Sequence, residues 1–408
     1  NANSMTSLFV KLLIINFLGI LLAGANPFKS LRELDVGARA SLTYDSNLFG
    51  VSNQVFQSAS TNSPAKDELE SQDDFILNFT PTVHFSKKIY LLEFTGSAGV
   101  SVTRFIKNSD KSFIVPVTNF SIDFDETLSK GKRISNNAKI RFDASFEVGQ
   151  HIDTSIIDQD LVSYTYFTTN LNLRYNHSAK FGVGTGTNFS FQNYQSGSLE
   201  NSYTDLTSLP LSLRAFYIYS EKLDIYSDYT FTKATSGASM ANAADSSNHA
   251  ISLGLNGEYS SKLSGNIGLG YSWINYEKES LQSDDNFVTS LNLSWVHNSK
   301  TSSTYSISRN FAPSAQGSSN FSTNIGVGVN HKLTDRLRGS ANTNYSVIEY
   351  TLLNGSSTKL DQFGLGFGVD YSWSDKIMIG SSYSFSLINN KKESYDRHTI
   401  ELFASGRF

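Results

Sequence analysis

Charged side chains in this chain alternate with apolar ones, and the alternation limits the chemistry they can perform. In Phe363–Lys376 the odd positions up to Trp373 are apolar or aromatic, whereas the even positions up to Ser372 are Gly, Asp or Ser. A period of two is that of a β-strand, whose successive side chains point to opposite faces. The charges therefore share one face with small residues, and the other face is apolar. This second face ends in Tyr371 and Trp373, as expected where a strand leaves lipid.

Charged residues on the small-residue face are the candidates for function. If the apolar face contacts lipid, these charges indicate a water-filled interior, because charges are costly in lipid and well tolerated beside water. A competing interpretation is that they pair across neighbouring strands and brace a plugged lumen. We favour pore lining, since a barrel of roughly 16 to 18 strands is wide enough for an aqueous channel. The predicted lumen-lining residues are Arg39, Glu93, Asp123, Asp125, Arg141, Asp143, Glu147, Arg174, Arg214, Asp224, Asp228, Arg338 and Asp370.

The other chemically versatile residues form no recognisable site. The seven His residues lack the spacing of a metal site, and most lie near predicted turns or loops. A hydrolase would need a Ser and a His on neighbouring strands; His84 or His331 could serve, but nothing in the linear sequence selects a pair. Runs such as Gly182–Gly186 alternate with other residues and are read as strand, not as phosphate-binding loops. We therefore predict no catalytic, cofactor-binding or metal-binding residue, and no enzyme.

Composition excludes several classes of protein. The 408 residues are 39% hydrophobic, 17% charged and 13% aromatic, with a mean hydropathy of -0.25. Beyond the N-terminus no apolar run approaches the roughly 18 residues that a membrane helix needs. The net charge of -4, without a basic cluster, gives no reason to expect a nucleic-acid partner. The absence of Cys rules out disulfides and thiolate metal sites, and it fits an oxidising compartment.

Short polar turns recur along the chain and predict its architecture. Eight of them, from Ser86-Lys87-Lys88 to Ser374-Asp375-Lys376, follow one another about every 40 residues, with longer polar segments between them. A propeller blade has a similar period but needs four short strands, whereas each interval here holds two long ones. We predict a closed antiparallel up-and-down transmembrane β-barrel of about 18 strands, with short periplasmic turns and longer extracellular loops. Aromatic residues near the turns predict a girdle: Phe85, Tyr175, Tyr219, Tyr259, Trp295 and Trp373.

The N-terminal region has the pattern of a secretory signal. Lys11 supplies a positive charge, Leu12–Leu22 an apolar region, and Ala23–Ala25 a small-residue cleavage site. The apolar run is too short for the alternative, a membrane anchor. We predict a signal peptide over residues 1–25, with extra residues before Met5, then a short periplasmic lead over 26–33 and the barrel over 34–408.

Two segments carry a family resemblance. The last strand, Arg397–Phe408, alternates and ends in an aromatic residue, and it resembles the terminal strand of bacterial outer-membrane β-barrel proteins. That resemblance implies that Phe408 is a signal for the outer-membrane assembly machinery, although Gly406 is smaller than the residue usual there. The segment Leu42–Phe49, LTYDSNLF, is similar to the opening of the putative β-barrel porin 2 group, some of whose members are associated with exopolysaccharide operons.

These observations predict a porin-like channel in the cell outer membrane. It would pass small hydrophilic solutes passively, with selectivity set by loop constriction and by the lumen charges. The alternative is an accessory barrel for exopolysaccharide secretion or surface anchoring. The expected partners are outer-membrane lipid, the assembly machinery, and small hydrophilic solutes or polysaccharide. The sequence specifies neither the solute nor the oligomeric state.

Overall fold

The structure is a computed structural model, and it describes most of the chain beyond residue 33. The predicted signal peptide, the lead and Phe408 lie outside the described residues. Within the described part no helix is long and apolar enough to span a membrane, which has no bearing on membrane-spanning strands. The described residues are 34–48, 50, 71–125, 128–129, 132–133, 139–155, 160–194, 205–236, 245–277, 283–313, 319–351, 357–390 and 394–407.

Eighteen antiparallel strands form one sheet in which each strand pairs with its neighbours in chain order. The first and last strands also pair, from Gly37 opposite Arg407 to Asp45 opposite Thr399, so the sheet closes into a barrel. The predicted fold class and strand number are confirmed. The strands are β1 (Leu34–Asp45), β2 (Asp74–Ile89), β3 (Leu92–Phe105), β4 (Phe113–Asp125), β5 (Ile140–Ser155), β6 (Asp160–Asn176), β7 (Phe181–Tyr194), β8 (Leu206–Ser220), β9 (Leu223–Ser236), β10 (Ser246–Glu258), β11 (Leu263–Tyr276), β12 (Asp284–Val296), β13 (Thr301–Pro313), β14 (Ser319–Lys332), β15 (Leu337–Thr351), β16 (Ser357–Ser372), β17 (Ile377–Asn390) and β18 (Ser394–Arg407).

The recurring turn sequence has a local physical cause. In the turn after β6 the hydroxyl of Ser178 accepts hydrogen bonds from the backbone N–H groups of Lys180 (3.3 Å) and Phe181 (3.1 Å). A short polar side chain that satisfies the backbone in this way stabilises a tight reversal. The same pattern recurs at Ser260, Asn298, Thr334 and Ser374. We call this end of the barrel the short-turn end and the opposite end the long-loop end.

The first predicted turn, at Ser86–Lys88, is wrong. The strand β2 continues to Ile89, and the chain reverses at Tyr90, which has a positive φ of 54°. The reason is that Lys88 lies in register with Glu93 on β3, so these polar residues extend the ladder and do not break it. Inside a barrel, polar residues can face water from within a strand, so a polar sequence there does not require a turn.

The strand register assigns every side chain to one of two faces. Residues directly opposite each other on antiparallel strands share a face, and the pairing carries this relation around the whole barrel. One face bears the large apolar residues, which are strongly exposed: 65% for Leu253, 64% for Leu269 and 71% for Phe287. Such exposure is expected where lipid supplies the contacts. Tyr219, Trp295 and Trp373 are also exposed near the short-turn end, in agreement with an aromatic girdle.

Charge pairs join β1 to β18 along the inner face of the closing seam. Near the short-turn end Arg407 contacts Asp35 at 2.8 Å, and midway Arg39 contacts Glu401 at 2.8 Å. At the long-loop end Arg397 binds Asp45, its Nε lying 3.0 Å from each carboxylate oxygen. The Asp45 side chain is 2% exposed, so this last pair is the buried one. We call these contacts the seam ladder: Asp35–Arg407, Arg39–Glu401 and Asp45–Arg397.

Asp45, Ser46 and Asn47, which belong to the segment that resembles the porin 2 group, lie at the long-loop end of this seam. Asp45 also accepts a hydrogen bond from the backbone N–H of Asn47 at 3.0 Å. The hydroxyl of Ser46 accepts one from the backbone N–H of His398 at 2.8 Å, and the Ser46 N–H donates to the carbonyl of His398 at 3.0 Å. The Asp-Ser-Asn sequence therefore holds the last residues of β1 against β18.

A second polar clamp stabilises the long-loop end between β2 and β3. The carboxylate of Asp74 accepts hydrogen bonds from the backbone N–H groups of Ile106 (3.0 Å), Lys107 (2.9 Å) and Asn108 (2.8 Å). Beside it, the hydrogen bond from the ammonium of Lys107 holds the pKa of the Asp73 carboxyl below its usual value. These contacts hold the chain rigidly where it leaves the sheet.

The seam ladder yields a stability prediction with an internal control. Asp45→Ala should lower the free energy of unfolding by about 3 kcal/mol, because it removes the buried carboxylate that the Arg397 guanidinium binds. Asp35→Ala removes a half-exposed pair and should cost less than about 1 kcal/mol. Urea titration of the barrel refolded in lipid vesicles measures both values. Equal costs for the two variants would contradict a seam held mainly at its long-loop end.

Candidate functional site: the inner wall of the barrel

The register places the backbones of all thirteen predicted charges at inward-facing positions of the barrel. The large apolar residues occupy the opposite, outward face. For Asp125 only the backbone is described, and it pairs with Arg141. Inward orientation is shown by contacts that pass over intervening strands, which only the concave face of a curved sheet permits. Arg174 on β6, for example, reaches Asp224 on β9.

The Arg174–Asp224 pair is almost completely buried. The side chain of Asp224 is fully buried and that of Arg174 is 11% exposed; the guanidinium donates from both terminal nitrogens, one of them at 3.1 Å. The guanidinium also lies over the ring of Phe216, 4.1 Å from its centroid. Gly184 makes this possible, since a Cβ there would lie 3.0 Å from that ring. Small residues on β7 therefore let large side chains lie flat against the wall.

A second pair continues this layer toward β11. Arg214 donates to Asp228 at 2.9 Å, and its guanidinium lies 4.5 Å from the ring centroid of Tyr226. Tyr226 extends across Gly254, where a Cβ would lie 2.5 Å from the ring, and donates to Asn266 at 2.9 Å. We call this layer the inner belt; it consists of Arg174, Arg214, Phe216, Asp224, Tyr226 and Asp228.

The inner belt uses four of the predicted lumen charges to brace the wall. Arg39 is used in the same way in the seam ladder, where its guanidinium also lies 3.9 Å from the ring centroid of Phe403. These large side chains contact residues of the same wall and not of the opposite one. The belt lies near the short-turn end, because its residues are close to the turns that join β6 to β7 and β8 to β9.

Acidic residues are concentrated on a different sector of the wall. Glu93, Asp123 and Asp143 lie in one register row across β3, β4 and β5. Glu147 lies four residues further toward the long-loop end on β5. Arg141, which is 6% exposed, lies in the adjacent row opposite Arg174. Arg338 and Asp370 lie opposite each other on β15 and β16, away from both groups.

Most of the remaining wall is made of small uncharged residues. In the central part of β14 to β17 the inward positions are Gly, Ser and Asn, and none of these side chains is long enough to fill a barrel of 18 strands. These residues are Asn324, Gly326, Gly328, Ser340, Asn342, Asn344, Gly364, Gly366, Gly368, Ser382, Ser384 and Ser386.

The inner wall changes character at the long-loop end, where it becomes apolar. Leu360, Ile388 and Tyr395 pack together at 3%, 5% and 8% exposure, with Ile348 beside them. All four occupy inward positions at the ends of β15 to β18. Other buried apolar residues occupy equivalent inward positions around the barrel: Phe105, Val115, Leu206, Ala234 and Ile274.

Histidine and hydroxyl side chains meet in several places. His84 contacts Thr82 at 2.8 Å on the inner wall, and His331 contacts Thr301 at 2.9 Å near the short-turn end. His297 contacts Ser303 at 2.8 Å, but Ser303 is 1% exposed, so its hydroxyl is closed to a substrate. Among the described residues no group of three or more His, Asp or Glu could hold a metal ion.

A comparison with known families identifies the class of barrel. The sequence profile described as putative β-barrel porin 2 matches residues 132–407, which is 276 of the 408 residues. The chain belongs to this family. It is a porin-like barrel of the outer membrane. No curated protein matches it in sequence.

Solved structures resemble it in fold at low sequence identity. OccK1 (OpdK) of Pseudomonas aeruginosa is 9% identical with a TM-score of 0.45, over 93% of this chain and 99% of that one. The outer-membrane channel DcaP of Acinetobacter baumannii is 15% identical with a TM-score of 0.41, over 92% and 96%. A bacterial polysaccharide outer membrane secretin is 12% identical with a TM-score of 0.33, over 91% and 98%.

Several inward residues were missing from the sequence prediction. Glu401 lies between Ile400 and Leu402 in β18, so the signal that selected Arg39 could have selected it too, whereas Arg397 lies between Asp396 and His398 and lacks that signal. Phe403 was harder to assign, because an aromatic side chain in a terminal strand looks like a lipid contact. It lies inward over Gly380, where a Cβ would lie 2.4 Å from the ring, and beneath Arg39.

Two aspartates test whether an inward charge braces the wall or only lines the lumen. Asp224→Asn should lower the free energy of unfolding by about 3–5 kcal/mol, because it breaks a buried pair and leaves Arg174 uncompensated. Asp370→Asn should change it by less than about 0.5 kcal/mol, since water solvates either side chain. Urea unfolding in lipid vesicles compares them. A small loss at Asp224 would mean that the inner belt is not a brace.

Proposed function

We propose that this protein is a passive outer-membrane channel for small hydrophilic solutes. The observation that supports the proposal best is the inner wall of β14 to β17, whose central Gly, Ser and Asn residues put no long side chain into the lumen of an 18-stranded barrel. Membership of a porin family agrees with it. The flat arrangement of the inner belt has the same consequence, because its large side chains follow the wall.

The wall charges are grouped in two ways. Arg174, Arg214 and Arg39 each have a carboxylate partner, so their charges are locally compensated. The row of Glu93, Asp123 and Asp143 on β3 to β5 has Lys88 opposite Glu93 and Arg141 in the adjacent row, so acidic and basic groups are mixed there too. We propose that selectivity depends on these wall charges together with constriction by the extracellular loops.

One observation favours the second candidate function, an accessory barrel in exopolysaccharide secretion or surface anchoring. The inner wall at the long-loop end is apolar and buried around Leu360, Ile388 and Tyr395. An aqueous passage does not need apolar wall residues at its mouth. A barrel that holds polysaccharide at its rim could use them. Single-channel recording separates the two candidates, since only the first requires conductance.

The proposal includes the route by which the chain reaches the membrane. Residues 1–25 would be removed as a signal peptide, residues 26–33 would remain as a periplasmic lead, and Phe408 would be read by the outer-membrane assembly machinery. The alternating pattern of β18, which precedes Phe408, supports the last of these.

The absence of native Cys allows a direct test of the channel. Ser340→Cys puts a thiol on the inner wall, and Ala341→Cys puts one on the lipid face of the same strand. A water-soluble charged methanethiosulfonate should lower the single-channel conductance of the first variant and leave the second unchanged, because hydrocarbon excludes the reagent. A folded barrel that is silent in planar bilayers at all voltages would refute the channel.

The targeting proposal has its own test. Deletion of Phe408 should leave the lipid-facing pattern intact and yet reduce the amount of folded barrel in the outer membrane, whereas Phe408→Tyr should preserve it. Membrane yield and heat-modifiable gel mobility measure the effect. A normal yield after the deletion would mean that Phe408 is only another interfacial aromatic residue.

A further inference from the structure

Three tyrosines form an aromatic surface on the inner wall, apart from the seam ladder and the inner belt. Tyr164 and Tyr166 are two residues apart on β6 and so point to the same side, and Tyr194 on β7 lies directly opposite Tyr164. All three occupy inward positions in the half of the barrel nearer the long-loop end. Lipid therefore cannot account for them, and they are not part of either aromatic girdle.

The rings form one continuous surface. The ring centroids of Tyr164 and Tyr194 are 5.0 Å apart with an interplanar angle of 35°, and those of Tyr164 and Tyr166 are 6.3 Å apart. Each of the three side chains is partly exposed. This differs from the apolar wall around Leu360 and Ile388, which is buried.

Hydrogen bonds hold the ring of Tyr166 in place. Its hydroxyl donates to Glu147 on β5 at 2.6 Å. Gly149 lies opposite Tyr166, and a Cβ there would lie 2.8 Å from the phenol oxygen, so the ring passes over the space that this glycine leaves. Tyr194 donates to the side-chain oxygen of Gln192 at 3.2 Å, and Gln192 lies opposite Tyr166. The ring edges are thus oriented by a carboxylate and an amide.

This combination of groups has a definite chemical preference. The ring faces suit a flat ligand with an apolar C–H surface, since aromatic rings supply rigid contact area at low entropic cost. The carboxylate of Glu147 is exposed and retains acceptor capacity for hydroxyl groups, and the Gln192 amide can both donate and accept. A negatively charged aromatic ligand would be repelled by Glu147. A neutral sugar ring has both the apolar face and the hydroxyl edge.

We propose that Tyr164, Tyr166 and Tyr194, with Glu147 and Gln192, form a subsite for neutral saccharides on the inner wall. The inference rests on the proposed function, because a solute must be able to enter the lumen to reach it. It names the class of hydrophilic solute that the channel would retain longest during passage.

Binding can be measured without relying on conductance. The full barrel is purified in a polyoxyethylene detergent, since a maltoside would itself offer a sugar, and titrated calorimetrically with maltohexaose and, separately, with benzoate. We expect maltohexaose to bind and benzoate not to bind. Tyr164→Leu, Tyr166→Leu and Tyr194→Leu should each weaken binding by about five- to tenfold, the loss of one aromatic contact. Tyr164→Phe, which keeps the ring, should restore it.

A matched control and the conductance record complete the test. Tyr345→Leu removes a tyrosine from the lipid face, where it is 41% exposed, and should leave binding unchanged; heat-modifiable mobility verifies that each variant folds. Equal affinities for all variants, or binding of benzoate alone, would overturn the subsite. Conductance without saccharide binding would remove the subsite and leave the channel. Binding without conductance would support the subsite and remove the channel.

Discussion

Closure of the sheet is the constraint on which the rest of the structure depends. In hydrocarbon no water is available to hydrogen-bond an open sheet edge, so β1 and β18 must pair with each other. Their pairing extends from Gly37 to Asp45 and is reinforced on the inner side by the seam ladder. The buried Asp45–Arg397 pair also fixes the register of closure, because a slip by one residue would turn Arg397 toward lipid.

Closure divides the side chains into two populations under different constraints. Outward residues have only to be apolar, and Leu253, Leu269 and Phe287 satisfy that condition while most of each side chain is exposed. Inward residues have to share a limited volume with water. Glycine therefore has a particular use on the inner face: at Gly184 and Gly254 it leaves the space in which Phe216 and Tyr226 lie flat. The wall is braced without loss of width.

The inward charges fall into two groups. Arg174, Arg214 and Arg39 hold neighbouring parts of the wall together through paired carboxylates, and their electrostatic effect on a passing solute is reduced accordingly. On β3 to β5 the carboxylates of Glu93, Asp123 and Asp143 lie in one row, with Lys88 opposite Glu93 and Arg141 in the adjacent row. The function proposed for the barrel thus depends less on how many charges face inward than on how the curvature of the sheet groups them.

The sequence by itself determined the fold class and the approximate number of strands, because a period of two is a local property of the chain. It misplaced the turn at Ser86–Lys88, where register with β3 overrides local turn preference. Only the tertiary structure decided which inward residues meet. Arg174 and Asp224 are 50 residues apart and three strands apart, and Arg39 meets Glu401 only because the barrel closes. Such contacts depend on curvature and closure, and neither is written in the local alternation of residues.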